Sequence, residues 1–177
     1  MIILIGRSAS GKTTIAKKLI EDYNFKKFVT NTTRPMRIGE VNDVDYHFIT
    51  EEEFLNKKKK SMLIEDTYYN GYHYGTSIED VSDDKVLIVD INGANKFYEK
   101  LKDEVVIFYI NASDDVIKQR MIDRKDDLET INSRLKIDHE YFNINKLIHY
   151  DYIINTDNDS IDNITLDVLN KYNNKRW

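Results

Sequence analysis

The chain opens on Met1-Ile2-Ile3-Leu4-Ile5, an unbroken apolar run of the kind that forms a buried strand. Comparable runs recur at Val86–Val89, Val105–Ile110 and Tyr152–Ile154. Between them the apolar positions change period. Ala16, Leu19, Ile20 and Tyr23 follow the i, i+3, i+4, i+7 spacing of one helix face. Ala94, Phe97, Tyr98 and Leu101 form a second stripe, and Ile161, Ile164, Val168 and Tyr172 a last one. Ser113 stands where it would N-cap a helix carrying Val116, Ile117 and Met121. Strands alternating with helices predict an α/β domain around a mostly parallel sheet.

Two stretches break the alternation. Residues 31–80 are rich in Tyr, Arg, Gly and charge, with little core-like periodicity beyond a helix near Glu51–Lys60. Asp123–Thr130 is polar and lies between two helical patterns. Connections in such sheets are usually short, so both read as insertions. Within the first, Glu51–Glu53 precede Lys57–Lys60, which predicts a solvated helix face with i,i+4 charge pairs.

Composition narrows the class. A chain of 177 residues with 41% apolar and 32% charged residues suits one soluble globular domain with inserted subdomains. Its net charge of −5 lacks the basic footprint of a nucleic-acid binder. With no cysteine there is no disulfide, thiolate catalysis or cysteine zinc site, which suits a cytoplasmic protein. No apolar stretch reaches membrane-spanning length, and the N-terminal run lacks the basic segment of a signal peptide.

The first apolar run leads into Gly6-Arg7-Ser8-Ala9-Ser10-Gly11-Lys12-Thr13-Thr14, a complete G-x-x-x-x-G-K-[ST] phosphate loop between strand and helix. Such a loop turns backbone N–H groups inward and aims a helix N-terminus at an anion. Lys12 would reach the β- and γ-phosphates of ATP, and the Thr13 hydroxyl would ligate Mg²⁺. Val86-Leu87-Ile88-Val89-Asp90 is an apolar strand ending in an acid, the form of a Walker B element. Asp90 would then hold Mg²⁺ directly or through water; otherwise it is a strand-end cap. Arg120 and Arg124 share one helix face and Arg134 follows the polar segment, which makes all three candidates for cations that arrive with a lid.

The most specific segment is Thr32-Thr33-Arg34-Pro35-Met36-Arg37-Ile38-Gly39-Glu40 with Asp45-Tyr46-His47-Phe48. It resembles the guanylate kinase pattern S-x-T-T-R-x-x-R-x-G-E-x-x-x-x-D-Y-x-F, with Thr30 in place of the serine. Glu65 followed by Gly71-Tyr72-His73-Tyr74-Gly75-Thr76 matches a second family element. The resemblance spans essentially the whole chain and implies a P-loop kinase core at residues 1–30, 81–121 and 135–177. It also implies a GMP-binding lobe at 31–80 and a lid at 122–134.

Residue by residue, the resemblance implies that Arg34, Arg37, Tyr46 and Tyr74 hold the GMP phosphate. Two arginines can fork onto phosphate oxygens, and tyrosine hydroxyls donate without adding charge. Glu65 would accept from guanine N1–H and the 2-amino group, while Thr30 and Thr76 offer hydroxyls to O6. Arg120, Arg124 and Arg134 match lid and hinge arginines, and Asn155 resembles the element beside the ATP base.

Three departures from the pattern stand out. Arg7 and Ala9 replace the usual Pro and Gly of the phosphate loop. The element after the Walker B strand, normally D-[IL]-[DE]-x-Q-G, is shortened to Asp90-Ile91-Asn92-Gly93, which puts Asn92 where a second acid helps order the guanine pocket. The lid is about one residue shorter and lacks a glycine after its first arginine.

The resemblance implies Mg²⁺-dependent transfer from ATP to GMP. A second reading is a kinase for another phosphorylated acceptor such as ribose 1,5-bisphosphate, whose enzymes share the shortened V-N-G element but lack the paired arginines, the Asp-Tyr and the Glu65 equivalent. A third is a non-catalytic phosphopeptide-binding module, which intact Lys12, Thr13, Asp90 and lid arginines oppose.

Overall fold

In the computed structural model, which describes residues 1–176, the opening run becomes β1 (Ile2–Ile5) with every residue buried. The phosphate loop leads to α1 (Lys12–Asp22), then β2 (Lys26–Lys27), β3 (Asn31–Thr32) and β4 (His47–Phe48). Next come α2 (Glu51–Lys59), β5 (Leu63–Tyr69), β6 (Tyr72–Ser77), β7 (Lys85–Ile88) and α3 (Ile91–Leu101). The chain closes with β8 (Val106–Asn111), α4 (Asp114–Asp123), α5 (Leu128–Tyr141), β9 (Tyr152–Asn155) and α6 (Ile161–Arg176). Trp177, the end of the expected 135–177 core segment, lies outside the described residues.

Five strands pair in the order β2-β7-β1-β8-β9, all parallel. Side chains of β1 alternate across the sheet, so one strand feeds two cores. Ile2 and Leu4 pack with Ile15 and Leu19 of α1 and Ile164 and Val168 of α6. Met1, Ile3 and Ile5 pack on the other side with Phe28 and with Ala94 and Phe97 of α3. The sheet is thus doubly covered, as an apolar parallel strand requires. The helix over Glu51–Lys60 and the stripes at residues 94–101 and 161–172 all appear. The Val86–Val89 run is less uniformly buried than its composition suggests: Val86 is inside, but Ile88 is 37% exposed.

β1 lies between β7 and β8, so the chain turns to opposite sides at its C-terminal end, the place where parallel sheets form binding crevices. The phosphate loop sits there. Gly6 has φ +147°, and a Cβ on it would lie 2.1 Å from the Ile110 carbonyl oxygen of β8. Only glycine lets the loop pass that close.

Residues 31–77 build a second sheet in the order β4-β3-β6-β5. β3 and β4 are two residues each, too short to show alternation, which is why the segment reads as irregular in sequence. Phe54 of α2 is fully buried. A capping box starts α2, with Thr50 accepting from the Glu53 N–H and the Glu53 carboxylate accepting from Thr50 N–H. Its lysines correct the expected i,i+4 pairing: Lys57 pairs with Glu79, and Lys58 with Asp66 at 2.5 Å. The helix is therefore tied across to its own lobe. No helix among the described residues is long and apolar enough to cross a membrane.

Candidate active site

Lys12 folds back over its own loop. Its ammonium donates to the carbonyls of Gly6 and Arg7, each at 2.6 Å, and to Ser10 Oγ at 3.4 Å. Burial lowers its pKa from 10.5 to about 8, opposed by the nearby Asp138 carboxylate. A phosphate offered to this lysine would meet a pre-positioned, under-solvated cation.

The loop is clamped from two directions. Thr156 Oγ1 donates to the Ser10 carbonyl at 2.9 Å. Arg120 of α4 donates to the Ala9 carbonyl at 3.2 Å, to Thr156 Oγ1 at 3.0 Å and to the Thr156 carbonyl at 2.6 Å. Arg7 anchors the other shoulder, donating to Asp114 and to the Ala112 carbonyl, each at 2.5 Å. Its guanidinium thus ties the loop to the β8–α4 turn. Ala9, where the family pattern has glycine, adopts φ +57°, a left-handed conformation that costs an ordinary residue about 1–2 kcal/mol. Its methyl packs with Ile117, Met121 and Ile131 of α4 and α5, which offsets part of that cost.

α5 reaches the loop as well. The Ser8 N–H donates to Asp138 at 2.7 Å, and the Phe142 ring, next after α5, lies 5.7 Å from Lys12 Nζ. Tyr141 donates its hydroxyl to Asp90 at 2.7 Å. The other Asp90 oxygen accepts from the Gly93 N–H at 2.7 Å, an N-cap of α3 worth about 1 kcal/mol. The Walker B acid is therefore also a helix cap.

A cavity of about 400 Å³ opens beside the loop, lined by Gly11, Lys12, Thr13, Thr14, Arg120, Arg124 and Thr156 among others. Asn155 is not among its walls: its side-chain oxygen accepts from the Asp157 N–H, and the neighbouring Thr156 takes its place. Arg124 also pairs with Asp126 at 2.6 Å, and Arg134 reaches that carboxylate at 4.0 Å. Arg134 does not line the cavity.

A second cavity of about 190 Å³ brings together Thr30, Tyr46, Glu65, Tyr74 and Thr76, together with Asp66 and Lys96. Glu65 and Thr76 are cross-strand partners. A bulge at Ile64 lets both Leu63 and Ile64 turn inward while Glu65 faces the cavity. Burial pushes the Glu65 carboxyl up, with Lys96 opposing. Thr76 Oγ1 is buried and has no hydrogen-bond partner among the described residues. Buried hydroxyls are rarely left so, and Thr76 lies in the wall of a cavity.

Arg34, Arg37 and Asn92 do not line that cavity. Arg34 is 7% exposed and forks onto Glu40, at 3.0 and 2.7 Å, above the ring of Tyr46. The Arg34 guanidinium holds the Glu40 carboxyl below the usual carboxylate range. Glu40 also accepts from the Arg37 N–H at 2.7 Å, while the Arg37 side chain is exposed. Asn92 lies exposed in the first turn of α3.

Sequence reasoning does not single out Thr156, Asp138, Tyr141 or Lys96. Thr156 adjoins the named Asn155, a one-residue offset. The other three sit on helices where nothing in their spacing sets them apart from solvated residues.

A doubly covered parallel sheet with a clamped phosphate loop at its switch point defines the chain as a P-loop kinase. The guanylate kinase family model matches residues 1–173. The chain is 37% identical over 166 residues to a guanylate kinase of Clostridium perfringens, covering 89% of this chain and 76% of that one. A guanylate kinase of Helicobacter hepaticus is 34% identical, covering 89% and 82%. The solved guanylate kinase of Anaplasma phagocytophilum superposes with a TM-score of 0.63 at 27% identity, over 99% of this chain and 85% of that one. The chain belongs to the guanylate kinase family.

Proposed function

We infer that the chain phosphorylates GMP, transferring the γ-phosphoryl group of ATP. The observation that carries this reading is the 190 Å³ cavity, where a half-buried carboxylate and an unpartnered threonine hydroxyl stand together. Guanine alone among the common bases offers Glu65 two adjacent donors, N1–H and the 2-amino group. The wrong base would leave that carboxylate unpaired, which gives strong discrimination. Thr76, with Thr30, would donate to O6.

In the proposed arrangement residues 31–80 carry the acceptor and residues 122–134 act as the lid, with the remaining segments as the core. ATP lies in the loop cavity, its phosphates on the N–H groups of residues 8–14 and on Lys12. Arg120, already bonded to the loop, and Arg124 on the same cavity neutralise charge on the transferring group, and Arg134 joins them as the lid closes. Arg37, with its side chain exposed, and Arg34, Tyr46 and Tyr74 take the acceptor phosphate. No general base is needed, because that phosphate is already an anionic nucleophile.

The residues present suit Mg²⁺: Thr13 is exposed at the head of α1, and Asp90 caps α3 just past the end of β7. The ion usually keeps several waters and takes few protein ligands alongside substrate phosphates. When bound it neutralises phosphate charge. Asp90 accepts from Tyr141 and Gly93, and its carboxylate keeps lone pairs that could hold the ion directly or through a water.

A coupled ADP-release assay tests the reading, with ATP and Mg²⁺ against GMP, dGMP, AMP, UMP, CMP and ribose 1,5-bisphosphate. GMP is expected to turn over best, and EDTA to abolish turnover. Preferential turnover of ribose 1,5-bisphosphate, or of none of these acceptors, would overturn it.

A further inference from the structure

α3 is held between the core and the acceptor lobe by two features. Gly93 lets it approach the preceding strand end, since a Cβ there would lie 3.0 Å from Val89 Cβ and 3.3 Å from Asp90 Oδ1. Lys100 then donates to the carbonyls of Leu63 at 2.8 Å and Ser61 at 3.2 Å. Lys96 stands one turn earlier on the same helix face and enters the wall of the Glu65 cavity.

Two acids share that wall with Lys96, and they are not equivalent. Asp66 is already paired with Lys58 at 2.5 Å. Glu65 has only Lys96, and the ammonium stops 4.0 Å from Oε2. That is too long for a hydrogen bond, so both groups keep capacity for a ligand. The cavity therefore presents an acceptor, Glu65, beside a cationic donor, Lys96, with the Thr76 hydroxyl on the strand opposite.

We propose that Lys96 is a specificity-determining residue that donates to the 6-oxo group of the acceptor base while Glu65 takes the donors of the adjoining edge. This rests on the GMP reading and deepens it. With Glu65 bound to N1–H and the 2-amino group, a 6-oxo purine turns an acceptor toward Lys96. Adenine would turn its 6-amino donor toward an ammonium and offer Glu65 no donor, since its N1 is an acceptor and its C2 carries only hydrogen. Shortening after Asp90 removes the family's second acid, and Asn92 points outside the cavity; Lys96, one turn on, supplies a polar group to that wall. Its charge also opposes the burial that pushes the Glu65 carboxyl up, favouring the ionised form that accepts from guanine.

Steady-state kinetics of Lys96→Met and Lys96→Arg test the assignment. Lys96→Met should raise the KM for GMP about tenfold or more, the scale of one charge-assisted hydrogen bond. The KM for ATP and the melting temperature should stay at wild-type values, kcat should hold within about twofold, and preference for GMP over AMP should narrow. Lys96→Arg, which keeps a cationic donor, should recover most of the GMP affinity. Unchanged GMP KM and unchanged discrimination against AMP in Lys96→Met would overturn the role of Lys96 while leaving the GMP reading intact. A wild-type chain that does not turn over GMP would overturn both.

Discussion

The Ser8 N–H donates to the Asp138 carboxylate at 2.7 Å, so an acid of α5 stands where the phosphate loop would otherwise hold an anion. α5 begins within the proposed lid segment, so nucleotide binding and lid position are physically linked. A triphosphate entering the loop must displace this carboxylate and overcome its charge. Asp138→Asn keeps the shape and removes the charge. It should lower the KM for ATP by about threefold to tenfold, the scale of one weakened charge-assisted contact. The KM for GMP should not move. An unchanged or higher ATP KM would show that Asp138 does not compete with nucleotide.

Lys12 gives a pH signature. Its pKa in the folded chain is about 8 against 10.5 unfolded, so the unfolded state binds more protons between those values. The burial penalty is fully present below about pH 8 and is relieved as pH rises toward 10.5. Phosphates beside the lysine would push its pKa back up, so ATP binding near pH 8–9 should take up a proton. Calorimetry in buffers of different ionisation enthalpy measures this directly; no uptake would place Lys12 away from the phosphates. Lys12→Ala should abolish turnover while leaving the protein folded.

Arg34 and Arg37 belong to one motif but should behave differently. Arg34 is buried in a fork with Glu40, so Arg34→Met leaves that acid without its partner and should lower both the melting temperature and GMP turnover. The Arg37 side chain is exposed, so Arg37→Met should raise the GMP KM about tenfold or more with melting unchanged. Thermal melts beside kinetics separate the two. Equal melting losses would show that Arg37 also holds the lobe together.

The core was legible because its signals are local. β1, α1, α3, α6 and the Ser113 cap each announce themselves through periodicity or a single cap, and the loop between β1 and α1 is a contiguous motif. The second sheet was hidden because β3 and β4 are two residues long and order only by pairing, β4 on β3 and β3 on β6. In the site, the family resemblance picks out Glu65, Tyr74 and Thr76, and they share one cavity. Arg34 shows the limit of such reasoning. Its place in a motif suggests a free phosphate ligand, but nothing local says that Glu40, six residues on, already grips it. Asp138 and Lys96 matter only through tertiary neighbours that no sequence window contains.

As a GMP kinase, this chain is expected to read the acceptor base through Glu65. Steady-state kcat/KM for GMP in wild type and Glu65→Gln, with the ATP KM measured alongside, tests it most directly. Wild type should favour GMP over AMP strongly, and Glu65→Gln should lose about a hundredfold or more in kcat/KM for GMP with the ATP KM unchanged. Equal losses toward both substrates, or full GMP turnover by the variant, would contradict it.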